Sequence, residues 1–257
     1  MDLIDSHAHL TFPGLADRID EVLENCDEAG VGRIITVGTT LADSRANVEL
    51  AQRHPSHINA AAGIHPHETQ AVAEADIEAI AELWDRPGVV GIGEIGLDYH
   101  YDFSEKAVQR SVFARQLAMA ASRDLPLIIH CREAFDDTIP LLVDHGFFGR
   151  RVVFHCFTGT AEQESRVAEQ GWRISFSGIV TFRKSTWLQE IARTYPADEL
   201  MIETDSPYLS PVPVRAKTPN EPAYVAHTAR FLANLRGEPY EAFVRQTTRN
   251  TQRFFRL

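Results

Sequence analysis

Two textures alternate along the chain. Short apolar runs rich in β-branched residues come first, and each gives way to a stretch with apolar positions at helical spacing. The runs fall at 2–7 (DLIDSH), 33–39 (RIITVGT), 58–65 (INAAAGIH), 89–96 (VVGIGEIG), 126–131 (PLIIHC), 151–157 (RVVFHCF), 172–180 (WRISFSGIV) and 200–205 (LMIETD). Their length and composition predict eight strands. Between them, 16–30, 104–123 and 185–195 carry the helical pattern, the first ending on Gly30 as a stop signal. A helix or pair of helices over 223–255 closes the chain, after a proline-rich loop at 206–222. Strands alternating with helices imply parallel βαβ units, and eight of them imply an α/β fold of one (β/α)8 TIM barrel over 1–257. An open doubly wound sheet is the alternative, and it would need fewer strands or another order.

The 257 residues, 44% hydrophobic and 24% charged, suit one such barrel with a large core. A net charge of -11 leaves no broad basic face for wrapping duplex DNA. Cys26, Cys131 and Cys156 have no metal-type spacing. With no signal-like segment before the first strand, they read as reduced thiols in a cytoplasmic protein. No apolar run reaches the roughly 20 residues of a membrane span.

Strands of a parallel sheet are buried on both faces and should be apolar throughout. Several here end on ionisable residues instead: Asp5, His7 and His9; His65 and His67; Glu94; His130; His155; Asp205. In a barrel, strand C-termini meet at one mouth. Period two lets His7 and His9 share the barrel axis, and turns Cys131 and Cys156 toward the helices as packing residues if His130 and His155 face the axis. One buried histidine is ordinarily a satisfied core group. Four histidines and two carboxylates (His7, His9, His130, His155, Glu94, Asp205) at matching strand ends are not, because uncompensated buried charge is expensive. Divalent cations supply the compensation. The mixed donor set fits zinc, manganese, iron or cobalt and is compatible with magnesium. Six donors exceed one catalytic zinc, so two metals sharing Glu94 is the economical reading.

In order, DSHAHL, GIHPH, GEIGLDYH, HCRE, HCFTG and IETDSPYL resemble the TatD family of metal-dependent deoxyribonucleases, within the amidohydrolase-like TIM barrels. The resemblance covers essentially the whole chain. It implies that His7, His9, Glu94 and Asp205 hold one metal, that Glu94, His130 and His155 hold the second, and that His65 contacts the scissile phosphate. It further implies magnesium- or manganese-dependent cleavage of DNA ends, 3′ to 5′, with roles in DNA repair and fragmentation. Zinc, iron or nickel would be possible bound species. Asp205 would serve as ligand and general base, which makes Asp205, Glu94 and His65 the catalytic set.

Other residues carry two readings. Arg132 is a bidentate phosphate fork or a surface ion pair. Glu203 bonds a ligand histidine or a substrate group, or forms a structural pair. Asp5 stands in the same relation to His7 and carries the same readings. Asp98 steers a ligand histidine or caps the next segment. Arg215 and Lys217 are a local positive spot for DNA phosphates or a solvated loop. Tyr99, Phe157 and Tyr208 stack on an unpaired base or pack the rim. Substrate contacts are expected from His65, Arg132, Glu203 and Arg215. A monomer is compatible with the pattern. Hydrolysis of an amide, lactone or ester, on a small molecule or aminoacyl-tRNA, is the competing activity, and a non-catalytic metal-binding scaffold the third. Glu94, standing where amide-hydrolysing relatives carry a carboxylated lysine, favours the nuclease.

Overall fold

A computed structural model describes residues 2–257. Eight parallel strands form one sheet in chain order: β1 (Leu3–Ala8), β2 (Val31–Val37), β3 (Ile58–Ala62), β4 (Val89–Asp98), β5 (Leu127–Arg132), β6 (Val152–Phe154), β7 (Arg173–Phe176) and β8 (Met201–Ile202). The ring closes through a bridge between Ala8 and Ser206. His9 N–H donates to Ser206 O at 2.7 Å and Asp205 N–H to His7 O at 2.9 Å. The expected (β/α)8 barrel is therefore the observed fold.

The helices are α1 (Ile19–Ala29), α2 (Leu41–Arg53), α3 (Glu74–Leu83), α4 (Lys106–Ala120), α5 (Phe135–Asp144), α6 (Ala161–Glu169), α7 (Thr186–Thr194), α8 (Val225–Arg236) and α9 (Tyr240–Phe255). Their ends follow local chemistry. Gly30 caps α1 with φ 73°, a conformation glycine takes without penalty. Thr160 opens α6 with a reciprocal bond to Gln163. No helix among the described residues is long and apolar enough to cross a membrane.

Period two divides the strand side chains between two cores. Ile34, Ile129 and Phe154 face outward and pack with α-helical residues such as Leu117, Leu142 and Ile191. Ile35, Val37, Ala61, Ile128, Val153 and Met201 face inward and meet Phe254 and Phe255 at the end of α9. Those two rings plug the barrel at the end opposite the strand C-termini. An aromatic side chain so enclosed contributes about 3–5 kcal/mol relative to alanine. The bottom is thus sealed by apolar contact, which leaves polar residues only the other mouth.

Strands 3, 6, 7 and 8 are shorter than the apolar runs predict. Ladder pairing stops where the chain bends into the mouth: β6 ends at Phe154, and the end of the expected strand seven, 178–180, lies in a 3-10 turn, Gly178–Thr181. The polar ends of these runs lie in the loops just beyond the ladder. This corrects the reading of Cys156. With φ 45° it sits in the turn after β6, period two no longer applies, and it lines the mouth. Burial pushes its thiol well above the ordinary range, with Asp205 adding to the effect, so it is a poor nucleophile. Cys131 points outward as expected, with Sγ 3.5 Å from Thr138 Oγ1 on α5.

Candidate metal centre

The C-terminal mouth opens into a cleft of about 1030 Å3 whose floor holds His9, Glu94, His130, His155 and Asp205. Glu94 lies at the centre and is buried (2% exposed). Its two carboxylate oxygens face different partners. Oε2 lies 3.4 Å from His7 Nε2 and 3.6 Å from His9 Nε2. Oε1 lies 2.7 Å from His130 Nδ1 and 2.6 Å from His155 Nε2. Asp205 Oδ1 completes the first group, 3.6 Å from His9 Nε2 and 3.8 Å from His7 Nε2. Closure of the barrel between β1 and β8 is what brings Asp205 to these histidines.

The groups behind the rings indicate which nitrogen is free. His9 Nδ1 donates to Val37 O at 3.0 Å. His130 Nε2 donates to Asp98 Oδ2 at 2.8 Å. His155 Nδ1 faces Glu203 Oε1 at 3.4 Å. In the neutral rings of His9 and His130, the outer nitrogen holds the proton and the inner one presents a lone pair to the centre. His7 Nε2 and His9 Nε2 stand 3.3 Å apart. Nitrogen lone pairs at that distance repel unless a cation or a proton lies between them. Both His7–His9–Glu94 and Glu94–His130–His155 bring their donor atoms within the reach of one ion. The residues fit a metal centre.

Charges follow from this crowding. Burial opposes ionisation of Glu94, but His155 and His65 beside it hold its carboxyl well below the ordinary range. Burial likewise disfavours the His9 imidazolium, yet the Asp205 and Glu94 carboxylates lift its pKa to about 9 in the metal-free site. Metal uptake at pH 7 must therefore displace a proton from His9. Titration calorimetry in buffers of different ionisation enthalpy is expected to show about one proton released per ion at this half of the centre. Affinity there should weaken about tenfold for each pH unit below 9. Uptake without proton release would contradict this assignment.

His65 stands beside the second group, with Nε2 3.5 Å from Glu94 Oε1 and 3.3 Å from His130 Nδ1. Burial lowers its pKa to about 4. Its Nδ1 accepts the His67 backbone N–H at 3.1 Å. The neutral ring thus carries its proton on Nε2, a donor aimed into the cleft. Arg132 also lines the cleft, its guanidinium 4.9 Å over the Tyr101 ring.

Two residues expected to contact substrate are not part of the cleft lining. Glu203 is fully buried and accepts a bond from Ser175 Oγ behind His155. It faces the axis, as period two requires, one layer below the cleft lining. Arg215 is exposed and stacks 4.0 Å from the Phe182 ring, outside the cleft lining. Asp5 is also buried and accepts Thr204 N–H at 2.9 Å and His7 N–H at 3.2 Å. It ties the segment bearing His7 to the one bearing Asp205. Asp98 does more than either of its readings. Its Oδ1 accepts the His100 and Tyr101 backbone N–H groups, while Oδ2 meets both His130 and His67 Nε2, the latter at 2.9 Å. Of the three aromatics read as stackers, Tyr99 bonds Asp137, Phe157 is buried, and Tyr208 stands on the rim. The sequence reading does not single out Phe12, Tyr101, Phe103 or Trp187, which line the cleft. The available signal is an aromatic residue three to five positions beyond a polar strand end, as in HLTF and DYHYDF.

Comparison with known proteins agrees with this geometry. The profile of the family described as TatD related DNase matches residues 4–256. The chain is 38% identical over 255 residues to the uncharacterized metal-dependent hydrolase YabD of Bacillus subtilis, covering 99% of each. It is 34% identical to the 3′-5′ ssDNA/RNA exonuclease TatD of Erwinia tasmaniensis, covering 99% of this chain and 100% of that protein. The crystal structure of the TatD homologue YJJV from Escherichia coli superposes with a TM-score of 0.93 at 28% identity, covering 99% of this chain and 98% of that one. The chain is a metal-dependent hydrolase belonging to the family of TatD-related DNases.

Proposed function

We propose that the protein is a two-metal nuclease that hydrolyses phosphodiester bonds at the 3′ ends of single-stranded DNA. The observation that carries the two-metal reading is the division of Glu94, with Oε2 toward His7, His9 and Asp205 and Oε1 toward His130 and His155. One group of donors would hold each cation, and Glu94 would belong to both. The name of the Erwinia relative supports the substrate class.

Two divalent cations, magnesium or manganese in activity, would lower the pKa of a bound water and offset phosphate charge. The chain's own groups do the rest. Burial is the largest influence on the Asp205 carboxyl and raises its pKa, but the contact with His9 and the charges of His155, His7 and His9 together outweigh it and hold the carboxyl below its ordinary range. Asp205 is therefore ionised at neutral pH and able to accept the proton of the attacking water. His65 Nε2–H donates to a phosphate oxygen. Arg132 presents a fork at the cleft wall that matches a second phosphate.

The test is cleavage of single-stranded DNA labelled at one end, by protein stripped with a chelator and then given magnesium or manganese. Activity should appear only after metal is restored, and loss of a 3′ label as mononucleotide would fix the polarity. A folded, metal-loaded protein that leaves DNA intact would redirect the reading to ester and amide substrates.

A further inference from the structure

Six large aromatic side chains are markedly exposed among the described residues, and five of them (Phe12, Tyr101, Phe103, Trp187 and Tyr208) line the one cleft above the histidines. Isolated exposed apolar groups need no explanation, but a set gathered round one opening does. Four of the five form two pairs. Phe12 and Tyr208 meet edge to face with ring centres 5.8 Å apart. Tyr101 and Phe103 lie 5.4 Å apart. Neither tyrosine hydroxyl is hydrogen-bonded to a described residue, and the four side chains are 39–62% exposed. The core does not need them.

Their places follow from the strand order. Phe12 and Tyr208 follow β1 and β8, which adjoin at the barrel closure. Tyr101 and Phe103 follow β4, half-way round the ring of eight. Strand spacing and tilt give such a ring a diameter of about 15 Å. Each pair also adjoins its own half of the histidine cluster. Tyr208 is 6.4 Å from the His9 ring. Phe103 and Tyr101 are 4.8 and 5.5 Å from His67, which lies 5.9 Å from His130.

We propose that the two pairs are base-stacking platforms on opposite sides of the scissile phosphate, so that the site takes a single-stranded end with its last two bases unstacked from each other. This rests on the nucleic-acid reading above. The exposed ring faces select this occupant, because a chain of net charge -11 gains nothing from general attraction to a polyanion. Binding must come from local features, and every base offers a face to an aromatic ring regardless of sequence. Arg132 over Tyr101 adds a cation where base and backbone meet. A paired end is refused, because its bases cannot part to reach platforms on opposite walls.

The experiment uses metal-loaded protein and an oligothymidylate with 2-aminopurine at the last, second-last or fourth-last position, its terminal linkages phosphorothioate to slow cleavage. Stacking should quench the last two positions and not the fourth. The double variant Phe12→Ala/Tyr208→Ala should restore fluorescence at one of the two positions, and Tyr101→Ala/Phe103→Ala at the other. On unmodified DNA each double variant should raise KM about tenfold with kcat within about threefold. It should lose that defect when the base it served is replaced by an abasic spacer. Phe148→Ala, an exposed aromatic at the far end of the barrel, should change nothing. Wild-type protein that cleaves without position-specific quenching overturns the platforms and leaves the nuclease reading standing. Quenching without cleavage does the reverse, and the absence of both overturns both.

Discussion

Replacing Glu94 by alanine is expected to empty both halves of the metal centre at once and to lower turnover on single-stranded DNA at least ~10^3-fold, about 4 kcal/mol of barrier. The reason is its position between two donor sets. Its oxygens lie 2.6–2.7 Å from His155 and His130 on one side and 3.4–3.6 Å from His7 and His9 on the other. Without it, four buried lone pairs converge on a space with no negative charge, and each cation loses a ligand and half its local neutralisation. Asp205→Ala removes a donor from the first group alone, since Oδ1 approaches only His7 and His9. It should cost one ion, where Glu94→Ala costs two. Metal content after dialysis, measured by plasma mass spectrometry, separates the cases. Glu94→Gln keeps the shape and one acceptor but loses the charge. It should fail nearly as badly, which distinguishes electrostatics from packing. A Glu94→Ala protein that keeps two ions and a tenth of its activity would refute the shared-ligand reading.

The residues at issue were legible in the sequence because they break a strong rule. A strand buried on both faces has no use for Glu94 or His130 unless something at the mouth requires them, and the repetition of that break at six strand ends located the cluster before any coordinates. The barrel itself was legible for the same reason, since eight apolar runs separated by helical stretches have few alternatives. What period two could not supply was depth and the point where the ladder stops. Glu203 faces the axis as expected, yet it is enclosed beneath His155, a matter of height along the barrel. Cys156 left its expected face because β6 has only three paired residues. Arg215 was placed near the mouth by sequence proximity to β8; its side chain stacks on Phe182, in the loop after β7, and is not part of the cleft lining. Loop geometry depends on long-range contacts, and local spacing does not encode it. The rim aromatics were hidden for a related reason: their exposure is decided by the loops around them.

The glycines of VVGIGEIG bear on how the site is held, and Gly96→Ala is expected to destabilise the metal-free protein by about 3 kcal/mol, lowering Tm by roughly 6–12 °C for a chain of this size. Two costs combine there. Gly96 has φ 144°, a conformation that side-chain-bearing residues rarely adopt. It also pairs directly with His130 across β4 and β5, so closely that an added Cβ would overlap the His130 carbonyl oxygen and lie 2.9 Å from its carbonyl carbon. Those are backbone atoms and have no rotamer to change. The strands can separate only by moving His130, whose ring meets Glu94 on one side and Asp98 on the other. The substitution should therefore weaken metal binding as well as stability, although residue 96 touches no ion. Gly146→Ala is the matched comparison. Gly146 also has positive φ, 80°, but no atom lies within 4 Å of its added Cβ, so the conformational cost of about 1 kcal/mol stands alone. Melting temperatures for the two variants within 2 °C of each other would mean that the strands yield at little cost. The close approach at Gly96 would then not be what fixes His130 against Glu94.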